Sequence, residues 1–285
     1  MYSPYPLYIL TGGERVLGRV AFKISVGFVT GALLLLAISL YLSSRYLEGQ
    51  LRLAETGDLQ GAREELWWAA RLDPFSSVPP ASEAHLELRQ GRTEAAVKAF
   101  REAIRREPVD YNNYVALGNL QRQQLGDPKA AAESYREALR HNPHATAVVS
   151  RYAEALLSAG ELEEARAQYE WLWEQGQITF KDLYTLGKLQ VRFGETGEAI
   201  KTFRNAKSRA GAGLESLGES QKAERKAFID SLDLAIVDAL VVQGSYAEAR
   251  EVLLQSEAGL APAVLALLDE DPESYRESVL DAPVS

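Results

Sequence analysis

Two hydrophobic patterns divide the chain. From Ile24 to Ser44 no residue is charged, and Leu33, Leu34, Leu35, Leu36, Ile38, Leu40 and Leu42 dominate. From Tyr46 onward apolar positions instead recur every three or four residues among polar ones, the period of helices buried along one face. The first pattern predicts one membrane-crossing helix over 24–44, because a hydrocarbon core of about 30 Å takes roughly 20 apolar residues in a helix. Lys23 and Arg45 bracket it, and Tyr41 and Tyr46 stand where an aromatic belt belongs. Ala37-Ile38-Ser39 has the small residues of a signal cleavage site, so a cleaved signal is the alternative. The apolar run exceeds a signal core of about 7 to 15 residues, which favours an uncleaved anchor.

Residues 1–23 read as a separate head, a flexible or interfacial lead-in with Tyr2, Tyr5, Tyr8, Pro4 and Pro6 followed by Arg15, Arg19 and Lys23. Gly13 and Gly18 have phosphate-loop spacing, but Arg19 and Val20 stand where that loop needs a lysine and a hydroxyl, and no strand precedes. Arg15, Arg19 and Lys23 on one side balance Arg45, Arg52 and Arg63 on the other. The chain terminus adds to the amino side, and Glu48, Glu55 and Asp58 dilute the other. The expected orientation is a cytoplasmic N-terminus with the rest extracytoplasmic.

Within the second pattern, Tyr114 to Pro143 is the fullest unit. Tyr114, Leu117, Gly118 and Leu120 mark one helix, Gly126-Asp127-Pro128 a turn, and Ala131, Tyr135 and Ala138 a second helix that stops at Asn142-Pro143. The turn recurs at Gly57, Gly91, Gly126, Gly160, Gly194 and Gly244, with steps near 34 until the last. A small residue follows at Ala62, Ala96, Ala131, Ala165, Ala199 and Ala249, then a large one at Leu66, Phe100, Tyr135, Tyr169, Phe203 and Leu253. Another alanine comes at Ala69, Ala103, Ala138 and Ala206, and Pro74, Pro108 and Pro143 close three units. Small residues let paired helices approach closely while the large one fills the wedge where they diverge.

A period of about 34 in this order resembles the tetratricopeptide repeat family, over Tyr46 to Gln255. The resemblance implies an all-α fold, a right-handed solenoid of tetratricopeptide helix pairs preceded by one transmembrane helix. About six pairs are expected over 46–255, with an irregular insertion at 208–227 read as a loop leading into a lengthened helix, and C-terminal capping helices with a frayed tail over 256–285. Phe75 to Ala81 reads as a linker, and of Trp67 and Trp68 one is expected in the core and the other on the next pair or at the membrane surface.

The chain of 285 residues contains no cysteine, which excludes disulfides, cysteine zinc sites and thiol catalysis. Its net charge of −9 argues against nucleic acid, which calls for a basic face. Arginine-rich, alanine-rich composition matches a bacterium with a GC-rich genome. His85, His141 and His144 lack a third ligand, no serine sits in a nucleophile elbow, and acid pairs such as Glu163 and Glu164 fall on solvated faces. The reading is a non-enzyme with no cofactor, metal or small-molecule substrate.

In the tetratricopeptide family the first helix of each pair lines a concave groove. Carried to this chain, the groove contacts are Asn119 and Arg122 in the third pair, Arg151 and Glu154 in the fourth, and Tyr184, Lys188 and Arg192 in the fifth, suited to a peptide segment or partner helix. The carboxylate clamp of chaperone-binding members is in doubt, because Val115 replaces the usual lysine. The expected function is a membrane-anchored scaffold or chaperone-like adaptor at a bacterial cell envelope. The alternatives are a fixed accessory subunit of a larger membrane complex, with Gly27 and Gly31 allowing close helix contact, or a regulator of a membrane enzyme.

Overall fold

The structure, a computed structural model, describes residues 12–256 and 258–284, with side chains from Phe22 onward. The tyrosines and prolines of the N-terminal head lie outside the described residues. Among the described residues there are α-helices and one short 3₁₀ turn but no strand. The chain forms two compact units, Met1–Val109 and Asp110–Ser285.

The first unit holds α1 (Gly12–Thr56), α2 (Leu59–Leu72), α3 (Val78–Arg89) and α4 (Thr93–Arg106). α1 has no break between the apolar run and the first repeat, since it contains no proline and no left-handed residue before Gly57. Positions 12–23, expected as a lead-in, are already helical. The apolar part is exposed, and Phe22–Thr56 is long and apolar enough to cross a membrane.

The last turns of α1 pair antiparallel with α2. The Ser39 hydroxyl donates to the Leu72 carbonyl (2.6 Å), that of Ser43 to Ala69 (3.1 Å), and Gly49 leaves room for Glu65. Ala54, Ala62, Leu66 and Leu86 fill the small core. Arg63 of α2 reaches Glu87 of α3 at 2.5 Å, and Arg89 donates to the Ala54 carbonyl, tying the first pair to the second. The stretch read as a linker already belongs partly to α3: Pro79 and Pro80 occupy its first turn, where a missing N–H costs nothing, and both are buried. Neither tryptophan is core. Trp67 and Trp68 are about half exposed (52% and 48%).

The second unit runs through α5 (Tyr111–Gln123), α6 (Pro128–His141), α7 (Thr146–Ala159), α8 (Leu162–Glu174), α9 (Phe180–Arg192), α10 (Thr196–Gly211), α11 (Glu219–Gln243), α12 (Tyr246–Gln255), α13 (Ala261–Glu270) and α14 (Pro272–Asp281). Across both units the six alanines of the ladder are fully buried, and the six large residues after them are at most 3% exposed. The turn glycines have positive φ, as at Gly160 (84°) and Gly244 (84°), where each closes its helix with a left-handed cap. Asp127 and Thr179 accept from the first turns of α6 and α9, Thr179 reciprocally with Asp182.

The insertion is a loop leading into a lengthened helix, with a shorter loop than the span 208–227. The break is confined to 212–218, because Gly211, Gly213 and Gly218 cluster there, while the charged run after it has good helix formers and no glycine or proline. α10 and α11 are both lengthened and pack together, the Arg225 guanidinium bonding the Ala210 carbonyl (3.2 Å) and lying 4.4 Å from the Phe180 ring centre. The tail is not frayed as far as Val284: Val279, Leu280 and Val284 pack against the core.

Candidate functional site

The first helices of three successive pairs, α5, α7 and α9, present their polar positions to one another. Arg122 (α5) pairs with Glu154 (α7) at 3.2 Å, and its Nε is buried with no acceptor among the described residues. Asn119 accepts the Tyr135 hydroxyl at 2.8 Å. Ser150 of α7 donates to Asp182 of α9 (2.9 Å), whose other oxygen is held by the Thr179 hydroxyl and backbone N–H. Arg122, Ser150, Arg151, Glu154, Thr179 and Asp182 line an open cavity of about 440 Å³. Beneath it the Tyr169 hydroxyl is buried, and burial pushes its pKa up, with Asp182 and Glu154 adding to the rise.

Tyr184, Lys188 and Arg192 lie one turn apart on α9, but in different surroundings. Tyr184 packs edge-on against Phe228 of α11 (5.6 Å) and tilts over Phe203 (6.0 Å), while the Lys188 amine stands 5.7 Å from its ring centre. Burial pushes the Lys188 pKa down, opposed by Asp238 of α11. Burial also pushes the Asp238 carboxyl up, against the Tyr275 hydroxyl that donates to it at 2.6 Å and the Lys188 charge. Arg192 donates to the Leu280 carbonyl. The α9–α11 face is therefore covered by α14 and the residues after it, leaving a cavity of about 270 Å³ lined by Tyr184, Lys188, Arg192, Asp238, Tyr275 and Val279.

The predicted contacts thus fall into three places: Arg122, Arg151 and Glu154 at an open cavity, Asn119 on the Tyr135 hydroxyl outside its lining, and Tyr184, Lys188 and Arg192 under the chain's own C-terminal segment. Ser150 and Asp182 were not anticipated, although the Thr179-x-x-Asp182 capping signature marks the start of α9. The return of Tyr275 and Leu280 has no local signal. Of the histidines, His85 packs edge-on against Phe100 (5.3 Å) and burial lowers its pKa, while His141 stacks on Tyr114 (5.5 Å). Among the described residues no cluster of three or more histidine or acidic side chains is placed to hold a metal.

Repeated helix pairs, each closed by the same ladder of an alanine and a large aromatic or leucine, define a helical-repeat protein. The chain carries tetratricopeptide repeats: two profiles of that family match, over residues 82–124 and 122–177. No curated protein matches the sequence. Solved structures share the fold. The crystal structure of MamA superposes with a TM-score of 0.51 at 17% identity, over 64% of this chain and 94% of that one. A tetratricopeptide repeat protein from Parabacteroides merdae gives 0.51 at 15%, over 81% and 100%. PilF of Pseudomonas aeruginosa gives 0.51 at 14%, over 84% and 96%.

Proposed function

We propose that this protein is a membrane-anchored tetratricopeptide scaffold that gathers protein partners at a bacterial cell envelope through the α5–α7–α9 cavity. The observation that carries the reading is the cavity lining: the Arg122 guanidinium, its side chain 30% exposed, beside the Glu154 carboxylate and a second arginine. A bound segment supplying a carbonyl or carboxylate meets the exposed guanidinium groups, and its own N–H groups meet Glu154 and Asp182. Balanced charge fits an extended polar segment better than a strongly acidic one.

In this reading α1 crosses the bilayer with its N-terminus in the cytoplasm and the repeats outside. The anchor concentrates the cavity near other membrane components, which strengthens weak binding without new contacts. The test is photocrosslinking in native membranes from Arg151 and Glu154, with the exposed second-helix positions Glu133 and Glu163 as controls. A discrete partner captured only from the cavity supports the scaffold. Equal capture from both sets, or none, overturns it in favour of a fixed subunit whose interface lies elsewhere.

A further inference from the structure

The pairing of α1 with α2 sets where the bilayer must end. Ser39 and Ser43 of α1 are bonded to Leu72 and Ala69, so the carboxyl end of α2 and the turn after it lie beside the last part of the apolar run. With its edge at Ser39, the hydrocarbon is crossed by the uncharged Ile24–Ser39, which rises about 22 Å, and by the turn before it, with Lys23 snorkelling back to the opposite headgroups.

At this level the protein displays a cluster of exposed aromatics. Trp68 stacks on Tyr46 (6.2 Å), Trp67 meets Trp68 edge-on (4.7 Å), and the Arg71 guanidinium lies 4.6 Å from the Trp67 ring centre. Trp67 stands about 7 Å from Leu72 along α2, within the headgroup layer if Ser39 marks the edge of the hydrocarbon. Phe75, in the α2–α3 turn, is 82% exposed. The turn is fixed: the Ser76 N–H bonds Asp73 (3.3 Å), the Ser77 hydroxyl bonds Glu107 (2.6 Å), and Arg106 donates to the Ser76 carbonyl. Phe75 is thus held outward by polar bonds on the other side of the turn.

We infer that Trp67, Trp68 and Phe75 form an interfacial anchor that inserts into the headgroup–acyl boundary of the bilayer crossed by α1. Indole and phenyl rings favour that boundary, and the arginine beside them has phosphate within reach there. A rigid second attachment fixes the tilt of the first helix pair on the membrane, which a lone spanning helix does not do. The inference rests on α1 spanning the bilayer.

Because the chain has no cysteine, single cysteines report on one place each. The full chain carrying Phe75→Cys, Leu34→Cys or the control Glu55→Cys, at an exposed position of α1 about 24 Å beyond Ser39, is labelled with an environment-sensitive fluorophore and reconstituted in phosphatidylcholine vesicles containing lipids with a nitroxide at a shallow or deep acyl position. The expected result is loss of emission at 75 with the shallow nitroxide, at 34 with the deep one, and at neither for 55. Quenching at 34 but not at 75 overturns the anchor and leaves the spanning helix standing. A blue shift at 75 without nitroxide quenching also overturns it, since a second copy then covers the site. No quenching at either position removes the spanning reading and the anchor with it. Far-ultraviolet circular dichroism of each variant verifies the helical fold.

Discussion

A Cβ on Gly118 would stand 2.7 Å from Cε1 of Tyr135. The tyrosine ring is fully buried, and its hydroxyl is held by Asn119 one residue further along α5. Neither partner has room to yield. Gly118→Ala is therefore expected to destabilise the second unit by about 1 to 3 kcal/mol through overpacking. Gly187 stands in the same relation to Phe203. The control is Gly197→Ala, at an exposed helical position with open space around it, where stability is unchanged or slightly raised. Urea unfolding followed by circular dichroism separates the two outcomes, and equal midpoints contradict the packing argument.

The hydroxyl of Tyr135 ties α6 to α5. Tyr135→Phe keeps the ring and removes the donor to Asn119, and the loss is expected to be about 1 kcal/mol because Asn119 is half-buried and water can replace the bond. Asn119→Ala instead leaves the hydroxyl proton without its acceptor, with only Arg122 still beside the oxygen, and costs more. Comparing the unfolding midpoints of the two variants checks the order.

How much of this was legible in the sequence depends on the range of the interaction. The ladder from Ala62 to Leu253 was legible because each buried position answers to a partner within one helix pair, at a spacing that repeats. The serines, glycines and charges of 208–227 announced a loop running into a lengthened helix but not where one gives way to the other, because that boundary depends on how far α10 continues through Gly211. Pro79 and Pro80 read as a linker although proline suits a helix start as well as a loop. The division of the candidate site was not legible, since Arg192 meets Leu280 across a separation of 88 residues, with no periodicity to announce it.

That contact predicts what removing the segment does. A chain ending at Glu270 loses α14 and uncovers Tyr184, Lys188, Val191 and Phe203. Val279 and Leu280 are half-buried, so the stability lost is roughly 2 kcal/mol. A fluorescent peptide spanning residues 272–284 should then bind the shortened chain and not the full one, as measured by anisotropy. Equal binding to both, or to neither, shows that the segment does not occupy a separable site.

The docked segment should also respond to pH. The carboxyl of Asp238 is raised above its ordinary value chiefly by burial, with Tyr275 and Lys188 opposing the rise. A carboxyl raised in the folded state favours the protonated form there, so its contribution is fully present below the unfolded value and is lost as pH rises through the folded one. Lys188 bears the complementary strain, its charge disfavoured by burial. Hydrogen exchange over α14, corrected for the intrinsic pH dependence of exchange, is expected to show protection that weakens as pH rises above the ordinary carboxylate range. Asp238→Asn keeps an acceptor for the Tyr275 hydroxyl and removes the titration, and should flatten the profile. Protection that instead rises with pH in the parent chain reverses the sign and shows that the attraction between Lys188 and Asp238 outweighs the burial of the carboxylate.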